Sequence, residues 1–299
     1  MVAIFLSQIC PAKINYLKPE VAPSFHLPKY ITIPGKVLST ISTGLATRFA
    51  LKLFFKPLKF PIPAREKAFR NTAERHDLLT KNAKDFTAFE LAGPGEKIVL
   101  IHGWSGRASQ FFEIMEGLNN LGFHVVAIEA PGHGENLGAE YNLLDFVDAL
   151  EEADLRFGPF YNAVGHSLGG LALFNNLKRK AQYEKLVIMG SPASIRNVVS
   201  DFSGNLQMND AVTDRIIETI EKRYDLNVKE NSSDYLCQYY NPQGLIIHDE
   251  DDQDVPILNA HQLHSKWKKS DLLVSKGLGH RRILMDNALQ KAIYDFFKI

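Results

Sequence analysis

The chain has 299 residues, 45% of them hydrophobic and 23% charged, with 34 basic against 34 acidic side chains. That balance excludes wholesale disorder, and a chain of this length buries a core large enough to need no disulfide or metal staple. Its two cysteines, Cys10 and Cys237, offer neither a disulfide framework nor a paired metal motif; they read as buried apolar residues of a reducing compartment, so a cytoplasmic location is expected.

The apolar start MVAIFLSQIC lacks the charged beginning and small-residue cleavage site of a signal peptide, and no apolar run is long enough to cross a bilayer. Residues 1–35, with Pro11, Pro19, Pro23, Pro28 and Pro34, read as an irregular extension. The spacing of Val37, Leu38, Ile41, Leu45, Phe49 and Leu53 predicts an amphipathic helix over 36–56, ended by Pro57, with Pro61 and Pro63 as a stiff connector. Residues 1–60 carry Lys13, Lys18, Lys29, Lys36, Arg48, Lys52, Lys56 and Lys59 against the single acid Glu20, so the remainder is net acidic. Two roles suit such a helix. It could make peripheral contact with a membrane surface, or it could pack its apolar face on the main domain, the commoner fate of such a stripe.

From about residue 74, short apolar strands alternate with helical patterns. The strands are predicted at Phe86–Leu91, Lys97–Ile101, His124–Ile128, Tyr161–Val164, Lys185–Met189, Gly244–His248 and Asp271–Ser275. Helices are predicted at 109–121, 142–156, 168–180, 257–268 and 284–298. Runs such as IVLI and LVIM suit strands buried on both faces, so the fold class is α/β, a mostly parallel sheet flanked by helices. Residues 195–243 pass without an apolar strand, which is long for a connection, and Thr213–Tyr224 reads as helical. The expected organisation is an N-terminal helical extension over 1–73, a core over 74–194 and 244–299, and a helical cap inserted at 195–243 over the sheet's carboxyl edge.

The strongest chemical signal is Gly165-His166-Ser167-Leu168-Gly169-Gly170, between the strand Tyr161–Val164 and the helical stretch Leu171–Lys178. A bare G-x-S-x-G arises often by chance as a glycine-rich turn; the strand–turn–helix setting favours a nucleophile elbow with Ser167 at its tip. The residues two before and two after that serine must lack bulk, and the new helix aims its N–H groups at charge developing on a substrate. The Leu168 N–H is then one oxyanion donor, and the second comes from the loop after Lys97–Ile101. A serine hydroxyl needs a base, and the base an orienting acid. Strand Gly244–His248 leads into Asp249-Glu250-Asp251-Asp252-Gln253-Asp254-Val255-Pro256, and strand Asp271–Ser275 into Lys276-Gly277-Leu278-Gly279-His280. Serine, acid and histidine therefore follow one another in the order an elbow hydrolase uses. The acidic run lacks the spaced acids and central glycine of an EF-hand, and reads as a solvated loop holding one functional acid.

Residues from about 86 to 299 resemble the α/β-hydrolase superfamily, in its lipase, esterase and thioesterase-like branch. Four features carry the resemblance: His102-Gly103-Trp104, Pro131-Gly132-His133-Gly134, the GHSLGG elbow, and the late Asp252 and His280. The resemblance implies His280 as base, Asp252 as its orienting acid with Asp254 as second choice, and the N–H of Trp104 as the second oxyanion donor. Asp252 stands four residues before Pro256, as in the family's D-x-x-V-P pattern; Asp249 replaces the glycine usual after the strand. Serine at the elbow disfavours the haloalkane dehalogenase and epoxide hydrolase branches, which attack with an aspartate.

The other histidines read as structural: His102 and His133 shape the site, His166 packs within the elbow, and His261 and His264 share a helix face without a third metal ligand. There is no Walker loop, no dinucleotide fingerprint and no nucleic-acid surface beyond the basic arm, so no cofactor or metal is expected. The implied activity is cleavage of a carboxylic ester or thioester in a small-molecule acyl substrate through an acyl-enzyme. Beside it stand an acyltransferase with the same triad and a non-catalytic ligand-binding member of the fold. The cap residues Phe202, Leu206, Met208, Ile216, Ile217 and Ile220 would either line an acyl pocket or glue the cap to the body.

Overall fold

The apolar runs assemble into one eight-stranded sheet in the computed structural model, which describes residues 27–136, 138, 140–179 and 181–298. Helices α1 (Lys29–Ile41), α2 (Thr43–Phe54) and α3 (Ala64–Arg70) precede strands β1 (Glu74–Leu79), β2 (Asp85–Leu91) and β3 (Lys97–Ile101). Then come α4 (Phe112–Asn120), β4 (His124–Glu129), α5 (Leu143–Phe157), β5 (Asn162–His166), α6 (Leu168–Lys178) and β6 (Lys185–Met189). Helices α7 (Ile195–Asn205), α8 (Asp210–Tyr224) and α9 (Ser233–Leu236) separate β6 from β7 (Gln243–Asp249). The chain continues through α10 (Leu258–Lys266), β8 (Ser270–Ser275), α11 (Gly279–Arg282) and α12 (Asn287–Lys298).

The strand order is β1-β2-β4-β3-β5-β6-β7-β8. β1 and β2 are antiparallel, as are β2 and β4; every other neighbouring pair is parallel. Alternate residues of each central strand enter opposite cores. Val99, Ile101, Val126, Ile128, Leu186 and Ile188 pack against α5, α6 and α10. Ile98, Leu100, Val125, Ala127, Val187 and Met189 pack against α4 and α12. This is why these strands read as unbroken apolar runs: both faces are covered, and each fully buried Val, Leu or Ile contributes about 1.5–3 kcal/mol of transfer free energy. The expected α/β class is the one observed.

Local readings differ in four places. Strand β1, Glu-Arg-His-Asp-Leu-Leu, was not predicted; it is a half-exposed edge strand whose charged side chains give no apolar signal. The single helix expected over 36–56 is two, because Ser42 is extended (φ −157°, ψ 115°) and caps α2, its hydroxyl accepting from Leu45 N–H at 3.4 Å. Residues 29–35, expected to be irregular, belong to α1, with Pro34 inside the helix. The connector after Pro63 contains α3, whose buried Glu66 accepts from Arg107 Nη2 and Ser109 Oγ at 2.8 Å. Cys10 and the other residues before 27 lie outside the described residues.

Helices α1 and α2 pack on α7 and α8. Ala46, Ala50 and Phe55 share one apolar cluster with Val199, Leu206, Met208, Val212, Ile216 and Ile217. The N-terminal helices thus meet the 195–243 insertion, the element that the sequence reading paired only with the sheet.

Candidate active site

Ser167 sits where β5 ends and α6 begins, in the left-handed region at φ 53°. A non-glycine residue there stores strain, which the surroundings must hold in place. Ser167 N–H donates to Met189 O at 2.9 Å, and Ser167 O accepts from Gly170 N–H at 3.0 Å. The flanking glycines are steric requirements: a Cβ on Gly165 would stand 2.8 Å from Gly170 N, and one on Gly169 2.3 Å from Ile101 O.

His280 and Asp252 arrive from the ends of β8 and β7. His280 Nδ1 is 2.8 Å from Asp252 Oδ2. The other oxygen of Asp252 accepts from the N–H groups of Asp254 and Val255 at 2.9 and 2.8 Å. Burial pushes the Asp252 pKa up, but the bonds from His280 and Val255 and the nearby imidazole charges outweigh it, leaving the group below its ordinary value. The imidazole of His280 thus bonds the Asp252 carboxylate, the acid first implied for it. His166 donates from Nε2 to the carbonyl of His280 at 2.9 Å, and burial lowers its pKa to about 3, so it is neutral and holds the His280 backbone. Ser167 and His280 open on the same cavity. The Ser167 hydroxyl makes no hydrogen bond to another described residue, His280 included, so the two share the cavity without a serine–histidine link. Catalytic hydrogen bonds of this kind often tighten only when substrate binds.

The acidic run is not a solvated loop. Asp249 is fully buried, and its carboxylate accepts from Asp251 N–H, Ser275 Oγ, Leu278 N–H and Gly279 N–H at 3.0, 2.8, 3.1 and 2.9 Å. Burial raises its pKa and these bonds more than offset that, so it stays ionised. Glu250 bonds Lys276 at 2.8 Å, and Asp251 accepts from Gly277 N–H at 3.0 Å. The run thus clasps residues 275–280, and Asp249, standing in place of the usual glycine, is the centre of the clasp. Asp249→Gly is expected to lower kcat about 10²-fold with KM changed little, because small misplacement of a reacting group costs that much. Steady-state kinetics on a soluble ester, beside a thermal melt, checks this; kcat within twofold of wild type would contradict it.

The loop after β3 lies against the elbow: a Cβ on Gly103 would fall 2.5 Å from Ser167 Cβ. Behind it, His102 accepts at Nε2 from Ala130 N–H at 3.1 Å, so Nδ1 carries the proton and donates to Gly103 O at 2.7 Å. Burial holds His102 well below the usual histidine range and His133 at about 4. Both are neutral and pack with Trp104 and Phe146 in an aromatic cluster. The connector before α3 crosses the same loop, with Leu58 N–H donating to Ser105 Oγ at 2.8 Å. His264 bonds Ser270 Oγ at 2.9 Å and does not pair with His261.

The cavity measures about 830 Å³, and Ser167, Leu168, Trp104 and His280 line it. Its apolar wall includes Phe202 and Ile220 from the insertion and Ile31, Leu53 and Phe54 from α1 and α2. Leu206, Met208, Ile216 and Ile217 instead glue the insertion to the N-terminal helices. Of the six apolar residues singled out in 195–243, two therefore line the cavity, and the other four pack on the N-terminal helices rather than on the body of the protein. The part of α1 and α2 in the wall was missed; periodicity marks an apolar face, not what that face meets.

A profile of the alpha/beta hydrolase family matches residues 98–226. Two curated relatives are pimeloyl-[acyl-carrier protein] methyl ester esterases. That of Nitrosomonas europaea is 31% identical over 36% of this chain and 42% of its own length. That of Shewanella woodyi is 30% identical over 40% and 50%. The chain thus spans half or less of the length of these relatives. Among solved structures, an esterase from Exiguobacterium antarcticum superposes with a TM-score of 0.58 at 17% identity, covering 75% of this chain and 99% of its own. The profile spans the elbow, and the eight-stranded, mostly parallel sheet with its flanking helices is the α/β-hydrolase fold.

Proposed function

We propose that the chain is a serine hydrolase that cleaves a carboxylic ester or thioester through an acyl-enzyme. The observation that carries this reading is the His280–Asp252 bond of 2.8 Å beside a strained Ser167 on one apolar cavity. His280, oriented by Asp252, takes the proton of Ser167 as its oxygen bonds to the acyl carbon. The N–H groups of Leu168, at the start of α6, and of Trp104, beside Gly103, hold the oxyanion. The alcohol or thiol leaves with the proton from His280. Water, deprotonated by the same imidazole, then releases the acid and restores the serine.

Residues 195–243 act as a cap, residues 1–73 as an extension that completes the cavity wall, and the remainder as the core. A small-molecule acyl compound is the substrate, and no cofactor is needed. A cytoplasmic setting fits the free, buried Cys237, whose thiol burial pushes up to about 12 and so makes inert. The apolar wall favours medium acyl chains over acetate. On a nitrophenyl ester series, kcat/KM is expected to rise about tenfold from acetate to hexanoate, as two or more methylenes are buried. A flat or falling series would remove the acyl-pocket assignment.

A further inference from the structure

Helix α1 turns its more apolar side outward. Tyr30, Ile33, Val37 and Ile41 are 77%, 57%, 48% and 70% exposed, and their spacing of three or four residues makes one stripe. Leu45, at the head of α2 and 50% exposed, extends it. The buried side of α1 carries Thr32, Gly35 and Ser39. Ser39 Oγ accepts from Asn209 N–H at 3.0 Å, and a Cβ on Gly35 would stand 2.8 Å from Leu206 O. The buried positions of α1 are thus small or polar, with Ile31 and Leu38 partly buried beside them, while four large apolar residues face out, unlike an ordinary surface helix.

Charge narrows what covers the stripe. Lys36, Arg48, Lys52 and Lys56 are exposed around it, and no Asp or Glu occurs from residue 27 to 60. Apolar side chains on a segment whose own charges are all cationic, with an aromatic ring at one end, fit an interface of acyl chains under anionic headgroups, while the acids nearest in the fold, such as Asp210 beside the Asn209–Ser39 contact, belong to α8. A facing copy of the same basic surface would repel itself. We propose that α1 and the start of α2 dock on an anionic lipid surface, Tyr30, Ile33, Val37 and Ile41 entering the headgroup boundary and Lys36 and Arg48 meeting the phosphates. The docking stands without any assumption about Ser167. Joined to the proposed hydrolase, it sets against lipid the same helices whose inner residues Ile31, Leu53 and Phe54 wall the cavity.

The test is co-sedimentation of the full chain with vesicles of phosphatidylcholine alone and of phosphatidylcholine with phosphatidylserine. The chain is expected to pellet with the mixed vesicles, and less at high salt. The pair Ile33→Glu and Ile41→Glu should weaken that binding at least about tenfold, by adding charge where apolar area was buried. Lys36→Gln and Arg48→Gln should weaken it about fivefold each. All four positions are exposed, so the melting temperature and turnover of a soluble ester should stay at wild-type values. Failure of the wild type to pellet with anionic vesicles would overturn the proposal. So would undiminished binding by the double glutamate variant. A dimer in sedimentation equilibrium that the same variant dissociates, without vesicle binding, would overturn it in favour of a second copy of the chain.

Discussion

Ser167→Ala is expected to lower kcat on a short nitrophenyl ester by about 10⁶, the loss that removal of the nucleophile causes in a triad that works as one unit. The reason is chemical. Methyl in place of hydroxyl leaves no oxygen to carry the acyl group, while the Leu168 end of α6 and the loop at Gly103 remain to bind and polarise the ester. Residual turnover of about 10³–10⁴ over water should therefore persist, with KM little altered. The fold should survive, since the Ser167 side chain makes no hydrogen bond to another described residue. One contrary tendency is release of strain: alanine at φ 53° is no easier than serine, so no gain in stability is expected. A kcat within tenfold of wild type would take Ser167 out of the reaction.

Asp252→Asn is expected to cost about 10⁴ in kcat, as seen when a triad acid becomes an amide. Asp252 accepts at both oxygens, from His280 at one and from Asp254 and Val255 N–H at the other. The amide can keep its oxygen toward the two backbone donors, which turns its NH₂ toward His280 Nδ1. The imidazole must then present Nδ1 as acceptor and carry its proton on Nε2, the nitrogen that should receive the serine proton. The tilted contact of His166 with His280, with ring centroids 4.7 Å apart, and the His166 bond to the His280 carbonyl hold the ring in place. The loss should therefore fall on kcat rather than KM, and partly recover at high pH, where hydroxide can replace the general base. Steady-state kinetics across pH 6–10 distinguishes this from loss of folding. Equal kcat in the two proteins would point to Asp254 as the orienting acid.

Much of this site could be read before any coordinates, for identifiable reasons. β3, β4, β6 and β7 are covered on both faces, so their apolar runs stand out, and the elbow announces itself because Gly165 and Gly169 have no room for a Cβ. What escaped the sequence was contact between distant segments. The acids 249–251 look like a solvated cluster until residues 275–279 are seen presenting N–H groups and a hydroxyl to them. β1 escaped because an edge strand facing water needs no apolar alternation. The break at Ser42 escaped because a single extended residue leaves the 3.6-residue spacing on either side nearly in phase. The apolar spacing of Val37, Ile41 and Leu45 was legible, but the stripe's start at Tyr30 and Ile33 and the place of Ile31, Leu53 and Phe54 in the cavity wall escaped, because one helix can carry apolar residues for two different partners.

The central claim is that Ser167 Oγ is activated for attack on an acyl or phosphoryl centre. Incubation of the folded chain with a fluorophosphonate, followed by mass spectrometry of the peptide containing Ser167, tests it most directly. Covalent modification of Ser167, lost in Ser167→Ala and slowed in His280→Ala, is the expected result. An unlabelled Ser167 in folded protein, or equal labelling of the Ser167→Ala variant, would contradict the account.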